Sequence, residues 1–136
     1  MFSVQVTYRA EGTVFALRGE LDHDSVVQVH EAGERELVQG GNAGPVVIDC
    51  AALSFCDSSG IAAMVRLYQQ LALRQRSLRL AAVPVAVARL FSVTGLDQVF
   101  AVCADVEQAL GMDADRRDIV SAGSEGPAQA KGRQNT

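Results

Sequence analysis

Two adjoining stretches decide the fold of this chain: Pro45-Val46-Val47-Ile48-Asp49-Cys50 and, shortly after it, Phe55-Cys56-Asp57-Ser58-Ser59-Gly60. The first is a short β-branched run, which predicts a strand covered on both faces at the centre of a sheet. After the second, apolar residues recur at three- and four-residue steps, which predicts a helix from Ser58 or Ser59 to about Arg74. The polar segment therefore lies between a strand's carboxyl end and a helix N-terminus, where open α/β sheets collect ligands and anions.

The elements on either side of this unit follow from the same patterns. Period-two alternation and short apolar runs predict strands at about residues 2–8, 13–17, 78–83 and 99–102, the first two forming an antiparallel hairpin. Apolar steps predict further helices at about 26–39, 85–93 and 105–110, and Ser25 with Gln28 matches a capping box at the first of them. The predicted buried stripe of that helix leaves Glu36 largely outside and consists of Val26, His30, Gly33 and Leu37. The fold class is therefore α/β, with a mixed sheet of four to five strands and about four helices.

Length and composition bound the domain organisation. The chain has 136 residues, 49% of them hydrophobic and 21% charged, which is typical of one globular domain. Beyond Met112 large apolar residues nearly disappear, so we expect one domain at residues 1–112 and a disordered tail at 113–136. The formal net charge is −4, and the tail's acidic and basic residues balance, so the charge belongs to the domain.

The same figures exclude several classes of function. An acidic chain lacks the basic patch that nucleic-acid phosphates require, so no direct nucleic-acid partner is expected. No apolar run is long enough to span a bilayer and no leader pattern is evident, so the protein is expected to be cytoplasmic, without a membrane partner. The three cysteines, Cys50, Cys56 and Cys103, form no close pair and indicate neither a disulfide framework nor a zinc site. No metal and no cofactor are expected.

Ser58 is the residue on which the functional interpretation depends. Its hydroxyl either caps the helix or is an exposed phosphoacceptor, and Asp57 either caps the helix or orients the Ser58 hydroxyl. A serine hydrolase is excluded because G-x-S-x-G is absent and the histidines, His23 and His30, both lie upstream. The sequence has no P-loop, and its one lysine is Lys131. We therefore expect a protein that is not an enzyme.

Three blocks of sequence resemble a known family, the STAS domain in its small bacterial form, the anti-sigma factor antagonist. The blocks are Leu17-Arg18-Gly19-Glu20-Leu21-Asp22, Val47-Ile48-Asp49 through Phe55-Cys56-Asp57-Ser58-Ser59-Gly60-Ile61, and Val87-Ala88-Arg89-Leu90-Phe91-Ser92-Val93-Thr94-Gly95-Leu96-Asp97. With the strands between them they cover about Val4 to Leu110. The Asp-Ser-Ser-Gly block is the specific one, and the other two support it.

The resemblance implies a switch. In the family, the first serine of that block, here Ser58, is phosphorylated by a serine kinase that is also the anti-sigma factor. The unphosphorylated antagonist binds that protein and releases a sigma factor, and a phosphoserine phosphatase restores the binding form. The implied partner-binding residues are Glu20, Asp22, His23, Asp57, Ser59, Gly60, Ala62, Ala63 and Arg66. For Asp22, partner contact and loop capping remain equally open.

The sequence departs from the family pattern after the second helix, where Arg74-Gln75-Arg76-Ser77 lacks the glycine that often makes the turn. The tail also has no counterpart in short family members. The alternative function is a constitutive STAS adaptor subunit of a transport ATPase or another complex. A third class, a nucleotide-binding module, requires saturable nucleotide binding by the domain alone.

Overall fold

The computed structural model describes residues 1–39 and 44–111 of the chain. The predicted tail at 113–136 lies outside these described residues. The strands are β1 (Ser3–Tyr8), β2 (Thr13–Leu21), β3 (Val46–Cys56), β4 (Leu78–Ala81) and β5 (Ala101–Cys103). The helices are α1 (Val26–Gln39), α2 (Ser58–Ala72), α3 (Val85–Thr94) and α4 (Val106–Leu110), with a 3₁₀ turn at Leu96–Gln98.

The five strands form one mixed sheet in the order β1-β2-β3-β4-β5. The predicted hairpin is confirmed, since β1 pairs antiparallel with β2, whereas β2, β3, β4 and β5 run parallel. The β-branched strand β3 is central, and its residues Val46, Val47 and Ile48 are all buried, as its composition predicts. The α/β fold class is confirmed.

The helices divide unequally between the two faces of the sheet. Phe15, Ile48 and Leu80 point to the face that carries the main core, where they meet residues of α1, α2 and α3. The opposite face holds a smaller core, in which Val47 and Ala81 meet Leu110 of α4. α1 contacts β1 and α2, so it covers the β1 side of the sheet.

The central strand is longer than predicted because it is bulged. β3 continues to Cys56, well past the predicted end at Cys50. Its pairing with β2 shifts register twice, between Ala16 and Arg18 and again between Gly19 and Glu20, so β3 has an extra residue at each shift. Cys50, Leu53 and Cys56 consequently all point inward at three-residue steps, a pattern that simple alternation does not predict.

The capping box predicted at the start of α1 is not formed. Ser25 does not cap the helix as the first residue of a capping box. Instead, the backbone N–H of Ser25 donates to Asp22 Oδ1 (3.1 Å) and the N–H of Asp22 donates to Ser25 Oγ (2.9 Å). This reciprocal pair sits one turn earlier, where it orders the loop that leads into the helix. For Asp22 the structure therefore shows the loop-capping role directly.

The buried stripe of α1 is also rotated from the predicted one. Gly33 is buried, as predicted, but Val26, His30 and Leu37 are only half-buried. The buried residues beside Gly33 are Val29, Ala32 and Glu36, and Val38 is exposed. Glu36 accepts a hydrogen bond from the Thr13 hydroxyl (2.8 Å) and pairs with Arg76 (2.9 Å), all at the amino end of β2 and β4. Arg76 also donates through Nε to the carbonyl of Gly44 (2.9 Å). Because its charge is paired, Glu36 tolerates a site that the hydrophobic pattern assigns to an apolar residue.

The missing glycine after α2 is replaced by Gln75. Its φ is +60°, and the following N–H, of Arg76, donates to the Leu71 carbonyl at the helix end (2.9 Å). This is the left-handed termination that glycine usually provides. After α3, Gly95 takes that conformation, as predicted, with φ +80°.

Candidate functional site

Asp57 is the N-cap of α2. It has extended backbone dihedral angles, and its Oδ1 accepts hydrogen bonds from the N–H groups of Ser59 (2.8 Å) and Gly60 (3.2 Å). A carboxylate at this position satisfies two of the free N–H groups of the helix and faces the positive end of its dipole. Of the two roles left open for Asp57, the geometry shows capping.

Ser58 is therefore free of the capping role. It is the first helical residue and is exposed, and its hydroxyl makes no hydrogen bond to any residue that the structure describes. Ser59, the next residue, is half-buried. An exposed, unbonded hydroxyl at the start of a 15-residue helix can react without breaking a contact of the fold.

Gly60, one of the implied partner-binding residues, has a packing role at the site. It is buried, and a Cβ built on it meets Cys56 Sγ at 2.7 Å and Leu21 Cγ at 2.8 Å. The glycine lets α2 start directly against the ends of β2 and β3. Because Gly60 is buried, it offers no exposed surface for the partner contact that the resemblance implies.

The loop from Glu20 to Asp24 lies beside this helix start. The N–H of Asp57 donates to the carbonyl of Leu21 (3.1 Å), which joins the end of β2 to the start of α2. The hydrogen bond from the Ser25 N–H, followed by that from the Ser25 hydroxyl, holds the pKa of Asp22 below its usual value. The contribution of Asp22 to folding stability is therefore complete above its unfolded-state pKa and is lost as pH falls through its folded-state pKa.

Most of the predicted partner-binding residues retain exposed surface. Together with Ser58, those that do define what we call the Ser58 face: Glu20, Asp22, His23, Asp57, Ser59, Ala62 and Arg66, of which Arg66 also lines the groove between α1 and α2. Ala63 does not belong to it. It is 2% exposed and points toward α1, so it offers no exposed surface for the partner contact that the resemblance implies.

Phe55 is a surface residue that sequence reasoning missed. It is 48% exposed, and it pairs in register with Glu20. The second bulge of β3 turns both Ser54 and Phe55 outward while Cys56 stays buried. No signal in a single sequence places that bulge. The alternation of apolar and polar residues therefore does not predict an exposed aromatic residue next to the Ser58 face.

Other chemistry is limited within the described residues. No three His, Cys, Asp or Glu side chains there are placed to share a metal ion. Burial raises the pKa of Cys50 and of Cys56 to about 12, so neither thiol is a ready nucleophile. None of the helices in residues 1–39 and 44–111 combines the length and apolarity needed to cross a membrane.

Comparison with known proteins agrees with this geometry. The STAS domain family model matches residues 2–109. An anti-sigma factor antagonist from Mycobacterium paratuberculosis has a TM-score of 0.73 at 23% identity, over 81% of this chain and 92% of that chain. The Bacillus cell fate determinant SpoIIAA, in its phosphorylated form, has a TM-score of 0.63 at 25% identity, over 87% of this chain and 100% of that chain.

A third solved structure, a serine-to-glutamate variant of RsbS from Moorella thermoacetica, has a TM-score of 0.62 at 26% identity, over 77% of this chain and 88% of that chain. The fold therefore matches anti-sigma factor antagonists at low sequence identity. Because the family model spans most of the described residues, including the whole of β1 to β5, the chain belongs to the STAS domain family.

Proposed function

We propose that this protein is an anti-sigma factor antagonist that is switched off by phosphorylation of Ser58. In the unphosphorylated form the Ser58 face binds an anti-sigma factor, which is also a serine kinase, and the sigma factor is released. A phosphoserine phosphatase returns the protein to the binding form. The observation that carries the proposal is the exposed, unbonded Ser58 hydroxyl next to Asp57, which already caps the helix.

The helix start can hold a phosphate without unfolding. Phosphorylation adds about −1.5 to −2 charges, and the positive end of the α2 dipole favours an anion at this position. The N–H groups of Ser59 and Gly60 already donate to Asp57, so the new charge stands beside a carboxylate. The added charge therefore changes the surface that a partner meets, while the fold remains.

The Ser58 face is the surface on which the added phosphate charge would affect partner binding. Glu20, Asp22 and Asp57 already make this end of the molecule acidic, which suits a partner with basic residues around its nucleotide site. A docked surface has no room for an unpaired phosphate, and leaving a buried charge unpaired costs about 2–5 kcal/mol of binding. A loss of that size weakens affinity more than about tenfold.

Phe55 supplies an apolar contact at the margin of this face. Interfaces typically gain most of their energy from a few aromatic or arginine side chains that are ringed by polar contacts. Replacing Phe55→Ala is expected to weaken binding of the anti-sigma factor by about tenfold or more. Val38→Ala is the matched control, because Val38 is 80% exposed but lies at the far end of α1.

The primary test combines the purified protein with candidate anti-sigma kinases and ATP and locates any phosphate by mass spectrometry. Phosphate on Ser58 is expected, with Ser58→Ala unmodified and Ser59→Ala modified as the wild type is. Binding of each form to the same kinase is then measured by calorimetry, and only the unphosphorylated form is expected to bind. Phosphate confined to Ser59 contradicts the assignment of Ser58. A folded protein that no kinase modifies, but that co-purifies with an ATPase, supports the constitutive adaptor instead.

A further inference from the structure

The proposed function leaves the outer edge of β1 unused. β1 is the end strand of the sheet and pairs with β2 alone. Its sequence, Ser-Val-Gln-Val-Thr-Tyr, contains no charged residue and no proline, and its pairing with β2 has no bulge. Charged residues, prolines and bulges are the devices by which edge strands avoid pairing with other chains.

The hairpin turn fixes which backbone groups face outward. Arg9 and Gly12 exchange both of their backbone hydrogen bonds, so they form a hydrogen-bonded pair at the turn. Bonded and non-bonded pairs alternate along an antiparallel ladder, and therefore Ser3, Gln5 and Thr7 also bond to β2. The N–H and C=O groups of Val4, Val6 and Tyr8 point away from β2, and none of them has a hydrogen-bond partner among the described residues.

The opposite edge of the sheet differs in this respect. β5 has only three residues, of which Cys103 is buried, and α4 packs against it. A strand so short offers few groups for pairing. β1 is twice as long, with Ser3, Gln5, Thr7 and Tyr8 exposed.

We propose that β1 is a self-association edge, on which β1 of a second copy of this chain pairs antiparallel about a two-fold axis. An antiparallel pair of identical strands is self-complementary, which is what a two-fold dimer requires. The domain carries a net charge of −4, so two copies repel each other over most approaches. The uncharged β1 edge is where two acidic molecules meet without opposing carboxylates.

The surface of α1 next to β1 is compatible with the pairing of two β1 strands. α1 turns His30 and Glu34 toward the groove that it forms with α2. By helical periodicity Arg35 lies on its opposite flank, above the β1 edge, and Glu31 lies beside it on the solvent-facing side; both residues are exposed. These two charges cancel, and so the flank adds no net charge to the proposed interface.

The outward groups restrict how the two strands align. Outward residues must face outward residues, and the two registers that pair the most residues of β1 place Val4 opposite Val6 of the second copy, or Val6 opposite itself. In the first register Gln5 lies directly opposite Gln5 of the second copy, and in the other it lies diagonally across, within about 7–8 Å. Gln5 is exposed in the single chain. A charged residue at this position therefore tests dimer formation without destabilising the fold.

The test is sedimentation velocity of the full chain over a series from low micromolar to near-millimolar concentration. Wild type is expected to show a concentration-dependent dimer. Gln5→Lys and Gln5→Glu are each expected to raise its dissociation constant by at least about fivefold, because like charges then face each other. An equimolar mixture of the two variants is expected to regain the wild-type dimer or exceed it.

Gln69→Lys and Gln69→Glu are the matched controls, since Gln69 is exposed on α2, away from β1. Circular dichroism melts confirm that every variant is folded. A wild type that stays monomeric at the highest concentration overturns the proposal, and so does a dimer that the Gln5 and Gln69 variants weaken equally. The outcome does not depend on whether Ser58 is a phosphoacceptor.

Discussion

The two ends of the parallel strands use carboxylates in opposite ways. At the amino end, the Glu36 carboxylate is buried and is held by Arg76 and Thr13. At the carboxyl end, the carboxylates of Asp57 and Asp22 keep contact with solvent and accept hydrogen bonds from backbone N–H groups. The first arrangement joins α1, β2 and the segment before β4, whereas the second only orders a helix start and a loop.

This difference separates the end of the sheet that supports stability from the end to which the proposed function assigns the switch. A buried charge whose partner is removed cannot be solvated, so changes at the amino end are costly to the fold. At the carboxyl end, the Asp57 and Asp22 carboxylates keep contact with water, and under the proposed function the exposed Ser58 accepts a phosphate at little cost to the fold. The molecule therefore keeps its rigid electrostatics at one end of the sheet and its modifiable surface at the other.

Removing Arg76 is expected to give the largest effect, because it leaves Glu36 buried without its countercharge. Arg76→Ala should lower the free energy of unfolding by about 3–5 kcal/mol, measured by urea denaturation. Arg74→Ala, at an exposed neighbouring position, should change it by less than about 0.5 kcal/mol. Glu36→Leu combined with Arg76→Met should recover most of the loss, because the pair is then replaced by apolar groups. Equal losses for Arg76→Ala and Arg74→Ala would remove the contrast between the two ends.

Gly60 tests the close packing between α2 and the carboxyl ends of β2 and β3. In Gly60→Ala the new Cβ meets Cys56 and Leu21 at distances that real side chains avoid, so a loss of about 1–3 kcal/mol is expected. Gly33→Ala is the matched helical control. Its Cβ meets only the flexible end of Leu67 (3.1 Å to Cδ1), and alanine favours the helix, so stability should hold or rise. Thermal melts of both variants compare the two losses of stability. Equal losses would show that the close approach of neighbours to Gly60 is not the cause of the loss in Gly60→Ala.

Period and composition were sufficient for much of the architecture. The hairpin, the central β3 and the helix that starts at Ser58 all follow from local patterns, because one buried face imposes a fixed period on strands and helices. The stop at Gly95 follows from its conformational freedom in the same way. These features depend on neighbours in sequence, which a single sequence displays.

The features that sequence reasoning missed depend on contacts distant in the chain. Glu36 looks like a surface residue until Arg76, 40 positions later, is brought beside it. The exposure of Phe55 follows from bulges that exist only in the pairing of β3 with β2. At Asp57, too, the sequence left two roles open, and its capping role was identified from its dihedral angles and hydrogen bonds. The candidate site was thus located from sequence, while the division of roles within it was not.

Asp57 measures the contribution of an exposed carboxylate cap. Asp57→Ala is expected to cost about 1 kcal/mol, because two N–H groups of α2 lose their acceptor. Asp57→Asn keeps an acceptor oxygen at the same place and should cost appreciably less, since asparagine is also a favourable cap. Chemical denaturation of the two variants at neutral pH measures the difference. If Asn and Ala were equally destabilising, the carboxylate charge rather than its hydrogen bonds would account for the effect.

The smallest change in the free energy of unfolding is expected at Ser58. A small change would show that the Ser58 side chain does not support the fold. Ser58→Ala should change the free energy of unfolding by less than about 0.5 kcal/mol, because the hydroxyl makes no bond to the described part of the chain. Ser25 is the contrast at the same end of the sheet. Its buried hydroxyl donates to the Glu20 carbonyl (2.9 Å), and Ser25→Ala should cost about 1–3 kcal/mol by leaving groups unpaired. Parallel denaturation curves test the pair: a Ser58→Ala loss as large as that of Ser25→Ala would mean that Ser58 supports the fold, and modifying it would then alter more than the docking surface.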